Sequence, residues 1–330
     1  MATARTFTAG KFALALDGVA CGFVESVDGG DISADVIESA VGSTFFAKKT
    51  IGQPKYEDFT LQIGLGLANP VYDWIAATLN GNYLRKDGAV TTADANLNAQ
   101  AESQFSKALI HEVGFPALDA ASKDASHLTI KFSPELTKFA QASGKVPAAG
   151  GKQKAFVGSN FRLELDGIDC SHVRAIDAFT VVVGIVADTT GDSRDVAIEP
   201  GRVEVPNVHV TITDGPTAAS WQLWFEDFVV KGNNDESKEK TGTIVYLGPD
   251  LKTELGRVVL HNVGICALRH GKQDANAGAV RTLVAELYCE RVELQIGKQA
   301  PTMKPVEQPV VPVAPVTPVA SPIKPLGIRR

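Results

Sequence analysis

Few residues in this chain have the chemistry to act, and those few are scattered. Two of the six histidines recur in like settings, as His111-Glu-Val-Gly and His261-Asn-Val-Gly. As a general base or a metal ligand, each would need an acid or thiol at an offset shared by both settings. The shared neighbours are Val, Gly, Ala and Leu, so a structural histidine bonded to backbone at a strand end is expected. Asp28, Asp31 and Asp35 crowd around Gly29-Gly30 and offer oxygen ligands of the kind calcium takes. Their spacing does not match a twelve-residue calcium loop, so they read as a polar surface loop. Cys21, Cys170, Cys266 and Cys289 include no C-x-x-C pair, and buried free thiols are expected in place of a disulfide framework or a zinc site. There is no phosphate-binding loop and no G-x-S-x-G elbow. Gly64-Leu-Gly66 lacks the third glycine of a dinucleotide fold. These residues point away from an enzyme and imply no cofactor and no metal.

The elements that carry them repeat. Phe12-Ala-Leu-Ala-Leu-Asp-Gly-Val-Ala-Cys21 returns as Phe161-Arg-Leu-Glu-Leu-Asp-Gly-Ile-Asp-Cys170, and His111-Glu-Val-Gly-Phe-Pro-Ala-Leu118 as His261-Asn-Val-Gly-Ile-Cys-Ala-Leu268. The distance from Asp17 to His111 matches that from Asp166 to His261 to within one residue. Pattern and spacing together predict a tandem duplication with a period of about 150 residues, which means two globular domains rather than a solenoid.

At 330 residues the chain has room for two domains, each with its own core. Apolar residues at 44% and charged residues at 21% suit a globular protein, and the net charge of −6 argues against a general nucleic-acid surface. No apolar run is long enough to span a bilayer. The opening residues Met-Ala-Thr-Ala-Arg-Thr-Phe lack a secretory signal, so cytoplasmic assembly is expected.

We assign residues 1–143 to a first domain, 144–155 to a Gly-rich linker and 156–297 to a second, diverged domain. Residues 298–330 form a Pro-rich extended tail, read as a spacer or as a docking strap. Both domains are mainly β. Leu128-Thr-Ile-Lys-Phe132 and Val208-His-Val-Thr-Ile-Thr213 alternate with period two, as a sheet covered on one side requires. The two Leu-Asp-Gly segments predict tight hairpin turns. Each domain adds one helix. The first is predicted with Asn69 as cap, Pro70 in the first turn and Gly81 at its end; the second spans Thr217 to Phe228, and both carry tryptophan on the core face.

Over residues 7 to 140 the first domain resembles the tail tube proteins of contractile phages and contractile injection systems. The resemblance rests on Lys11-Phe-Ala-Leu-Ala-Leu-Asp-Gly18, Ile51-Gly-Gln-Pro-Lys-Tyr-Glu-Asp-Phe-Thr-Leu61, Tyr72-Asp-Trp-Ile75 and Ala108-Leu-Ile-His-Glu-Val-Gly-Phe-Pro-Ala-Leu-Asp119. It implies a β-sandwich or half-barrel with one flanking helix, whose sheets close side by side into a ring that stacks into a tube. Two tandem tube-like domains would then give a trimeric pseudo-hexamer, a β-barrel ring within a virion or an injection particle. The implied partners are the protein itself, in rings and stacked rings, and sheath or baseplate proteins; no membrane and no sequence-specific nucleic acid is implied.

Two other roles fit the same features: a specialised adaptor ring at a baseplate or cap end, and, from another class, a two-domain β-sandwich binding module on a proline stalk. The candidate assembly contacts are Phe45, Phe46, Lys48 and Lys49 in the hairpin after Phe23, and Asn233 and Asn234 in the charge-alternating loop of the second domain. The Phe45-Phe46 patch either reaches a neighbouring subunit or folds back over its own core.

Overall fold

The computed structural model describes residues 10–39, 46–147, 156–188, 197–271 and 280–296. The tail over 298–330 and most of the linker lie outside these residues. The first half opens with β1 (Lys11–Leu16), β2 (Val19–Val24) and β3 (Ser26–Gly29). A hairpin of β4 (Ile32–Ser39) and β5 (Lys48–Tyr56) follows, then β6 (Phe59–Ile63) and helix α1 (Asn69–Leu79). The half closes with β7 (Lys86–Ala93), β8 (Ala99–Phe115), β9 (Leu118–Asp119), β10 (Leu128–Ser133) and β11 (Leu136–Gln141).

The second half contains β12 (Phe161–Leu165), β13 (Val173–Ile176), the hairpin β14 (Phe179–Asp188) and β15 (Ala197–Glu204), and β16 (Val208–Thr213). Helix α2 (Ala219–Phe225) leads to β17 (Lys240–Leu247), β18 (Glu254–His270), β19 (Thr282–Tyr288) and β20 (Arg291–Ile296). The protein is mainly β, as its alternating segments require.

The pairings of the two halves run in parallel. In the first, β1 pairs β7, β7 pairs β8, β8 pairs β10 and β11, β10 pairs β6, and β6 pairs β3. In the second, β12 pairs β17, β17 pairs β18, β18 pairs β19 and β20, β19 pairs β16, and β16 pairs β13. Asp17 and Gly18 turn between β1 and β2 with φ of 47° and 77°, the positive angles that Asp-Gly tolerates. The Asp17 carboxylate bonds across the sheet, to Lys86 Nζ at 2.6 Å and to the Asp87 amide, rather than only within its own turn.

The register corrects one sequence expectation. Lys86 faces Ala108 and Gly88 faces Phe105, while Lys240 faces Val263 and Gly242 faces Leu260. Counting along the strands from these pairs, Cys266 and not His261 is the counterpart of His111. The left-handed residues agree, because Lys107 (φ 50°) and Asn262 (φ 54°) fall at matching steps. The similar His-x-Val-Gly strings are offset, since β-strand identity is set by pairing partners and bulges rather than by a short string.

Each half builds an aromatic core. Phe132 stacks on Phe59 with centroids 5.1 Å apart and meets Phe105 at 4.8 Å and Trp74 at 5.4 Å. Val71, Trp74, Ile75 and Leu79 line the buried face of α1, each such side chain worth about 1.5–3 kcal/mol on burial. The helix cap is Ala68 and not Asn69, with no side-chain bond; Pro70 in the first turn and Gly81 at φ 72° still bracket the helix. The second helix, predicted over Thr217 to Phe228, is α-helical over Ala219–Phe225; a 3-10 turn over Pro216–Ala218 precedes it and a π-type turn over Glu226–Val230 continues it, keeping Phe228 buried beside Trp224.

Candidate functional site

The polar cluster richest in chemistry lies where the β4–β5 hairpin leaves the body. Gly30 N donates to Asp58 O at 3.0 Å and Glu57 N to Asp31 O at 2.9 Å, closing the hairpin root. Gly30 sits at φ 80°, and a Cβ there would lie 2.3 Å from the Phe59 ring, so the root needs glycine. Asp58 follows immediately. It accepts a hydrogen bond from Ser133 Oγ, lies 3.2 Å from His111 Nε2 and 3.4 Å from Lys131 Nζ. Burial pushes its carboxyl up, but His111, the Ser133 hydroxyl and the Lys131 charge outweigh burial and bring it down to about 2.

Ser, His and Asp are all present, but the wiring is wrong for nucleophilic catalysis. The serine donates to the aspartate and not to the histidine, so no imidazole stands against its hydroxyl, and the carboxylate that does is a weak base. His111 Nε2 lies beside the carboxylate without the alignment of a full hydrogen bond. Among the described residues no group of three His, Cys, Asp or Glu is placed to hold a metal. The positions in the second half that correspond to Asp58, His111 and Lys131 are Asn207, Cys266 and Glu286. Asn207 Nδ2 donates to Glu286 Oε1 at 2.9 Å and lies 3.8 Å from Cys266 Sγ. The geometry is kept while the charges are replaced, as a structural bracket allows.

The larger polar feature is a seam between the halves. β14 adds to the free edge of β8, with Phe179 opposite Phe115, Val181 opposite Val113 and Val182 opposite Glu112. Val181 and Val113 are each 1% exposed. β9 pairs β13, Leu118 opposite Ile176. Arg85 then clamps the far strand of the hairpin. Its guanidinium bonds Glu135, the Ile198 carbonyl and Glu199 Oε1, the last at 2.9 Å. Glu135 is 11% exposed on its side chain and takes a second cation, Lys107, at 2.9 Å. Tyr83 OH donates to Gly201 O at 3.0 Å. On the other side α1 packs on β20, where Leu294 is 4% exposed and Arg291 reaches Asn80.

The predicted contact residues fall in two separate places. Phe45 lies outside the described residues. Phe46 stands at 86% exposure beside the hairpin, so it does not fold back into the core. Lys48 and Lys49 are exposed on β5, and Lys49 pairs with Glu38 at 2.7 Å. Asn233 and Asn234 are exposed after α2, with Asn233 Nδ2 on Asp227 Oδ1 at 2.8 Å. No hydrogen bond or ion pair joins the two groups among the described residues. Arg85, Tyr83 and Glu199 leave no local pattern in the sequence because their contacts across the seam span more than a hundred residues, and Glu135 because its bond to Arg85 spans 50. The thiols also differ from expectation. All four are free; Cys21 and Cys289 are buried, Cys170 is half-buried and Cys266 is exposed.

Residues 8–136 match the family model described as T4-like virus tail tube protein gp19. Among solved structures, the chain is similar to one from an extracellular contractile injection system, a PVC sheath–tube complex in the extended state, at 23% identity. That likeness covers 42% of this chain and 95% of the other, with a TM-score of 0.37. A second is from the anti-feeding prophage cap, a tube-terminating cap, at 23% identity over 43% of this chain and 95% of that one, with a TM-score of 0.38. A third, from the anti-feeding prophage baseplate, has 14% identity over 42% and 93%, with a TM-score of 0.31. No curated protein matches the chain. Over residues 8–136, then, the chain matches the tail tube protein family of T4-like viruses.

Proposed function

We propose that this chain is a structural component of a phage tail or contractile injection system, built from two tube-like domains in tandem and working as a ring. The reading takes residues 1–143 and 156–297 as the two domains. The observation that carries it is the strand addition of β14 to β8, which runs the sheet of one half into that of the other. A ring of such units leaves no open sheet edge, and closure removes the hazard that edges present. The matched pairings of the two halves support quasi-equivalent domains, so three chains would supply six positions around one axis. Partners would be further copies in the ring and in stacked rings, with sheath or baseplate proteins at its outer surface or ends. Nothing in this role calls for catalysis, and the serine, histidine and aspartate at the hairpin root serve as a bracket.

Negative-stain electron microscopy of the full-length protein at high concentration tests the reading, with mass photometry on the same sample. Rings with an open centre and the mass of three chains are expected. Dispersed monomers at every concentration and salt condition would refute self-assembly.

A further inference from the structure

The seam inside the chain is made once, and the surfaces that would make it a second time are left uncovered. The contributions of β14, β8, α1 and β20 to the seam each have a counterpart in the other half, reached by counting from the matched strand pairs. β14 adds to β8; its counterpart β4 pairs only with β5 among the described residues. Val181 in the seam is 1% exposed, whereas Ile32 at the matching step of β4 is 40% exposed. The receiving edge of β8 corresponds to Ala267–His270 of β18. From Gly264 onwards β18 has β19 on one side and no described strand on the other. The helix contact behaves in the same way. Leu294 of β20 is buried against α1, while Phe139, at the matching step of β11, is 59% exposed. Leu223 and Val230, on and beyond α2, are 65% and 69% exposed.

The uncovered groups therefore divide into a donor set on the first half and an acceptor set on the second. We infer that the β4–β5 hairpin of one copy adds to the outer edge of β18 in the next copy. Carrying over the register of the internal seam, Ser33 faces Ala267, Ile32 faces Leu268 and Asp31 faces Arg269, while Phe139 covers the apolar face of α2. This inference rests on the ring reading above and specifies its closing contact.

Charge supports the assignment and explains why the halves must alternate. In the internal seam the acceptor presents Arg85 and the hairpin brings Glu199. At the matching acceptor positions of the second half, Glu239, just before β17, replaces Arg85, and Glu290, just before β20, keeps the acid of Glu135. The first hairpin brings Lys48 and Lys49 where the second has Ala197 and Ile198. At the Arg85 position the acceptor charge is thus reversed, and the hairpin brings lysine to meet it. The first hairpin on an Arg85-type acceptor would set lysine against arginine, and like charges across an interface reject the wrong pairing. The exposed Lys49–Glu38 pair holds Lys49 only weakly and leaves it available to a better partner.

Cysteine trapping in the full chain tests the contact. Residues directly opposite on neighbouring antiparallel strands have Cβ atoms roughly 4.5–5.5 Å apart, close enough for a disulfide after slight adjustment. The variant S33C/A267C, made with Cys266→Ser, is expected to give covalent dimers and trimers on mild oxidation, while S33C or A267C alone gives none. Reversing both hairpin lysines (K48E/K49E) is expected to raise the concentration for half-assembly by about tenfold or more. Adding E239K/E290K to that variant should restore assembly. Oligomers seen by mass photometry without the cross-link would overturn this contact and leave the ring standing. A protein that stays monomeric would overturn both.

Discussion

Asp58→Asn tests whether the polar bracket at the hairpin root holds by charge. The Asp58 carboxyl drops from 3.8 to about 2 in the folded protein, with burial opposing the shift and His111, Ser133 and Lys131 driving it. At about 1.4 kcal/mol per unit this linkage is worth about 2.5 kcal/mol. The carboxylate is 32% exposed, and solvent screening brings the figure to about 1–2 kcal/mol. Because the folded value lies below the unfolded one, the stabilisation is fully present above about pH 5. It fades as pH falls through the folded value near 2. Urea midpoints of the wild type and D58N at pH 7, 5, 4, 3 and 2.5 measure it. We expect the variant to be less stable by about 1–2 kcal/mol at pH 7, and the gap to close toward pH 2.5. A gap of the same size at both ends would refute the electrostatic account and leave shape as the cause.

Three further outcomes follow from the same geometry. Arg85→Ala leaves Glu135, 11% exposed, with only the Lys107 cation, and should cost about 1–3 kcal/mol; hydrogen exchange should rise first over 197–201. Phe132→Ala removes a ring packed against Phe59, Phe105 and Trp74, and chemical denaturation should read a loss of about 3–5 kcal/mol. Thiol labelling of the native protein at pH 8 should find one fast cysteine, Cys266, because burial pushes Cys21 up to about 11 and Cys289 up to about 12. Cys266→Ser should abolish the fast phase.

The hairpin lysines show how far the sequence could be read. Lys48 and Lys49 stand out as exposed charge on a projecting hairpin, and that much is legible from composition. Their matching acids, Glu239 and Glu290, are visible as such only after strand pairing sets Lys240 beside Lys86 and Arg291 beside Leu136 in the count. Asn233 and Asn234 belong to the same acidic loop that ends at Glu239. The His111 and His261 strings misled because a four-residue likeness is easily displaced along a strand. A bulge or a changed turn shifts the true register while leaving the string intact.

By itself, the amino-acid sequence determined the mainly β character, the Asp-Gly turns, the strands Leu128–Ser133 and Val208–Thr213, and the tryptophan-bearing helices. These follow from period two, period 3.6 and turn chemistry, which are local and need no partner. Tertiary structure alone decided that β14 adds to β8, that Arg85 clamps the opposite half, and that β4 and β18 each keep an open edge among the described residues. Strand addition is made by backbone amides and carbonyls, which every residue type carries alike. Which edge meets which strand is therefore settled by the packing of the whole chain and not by any run of residues within it.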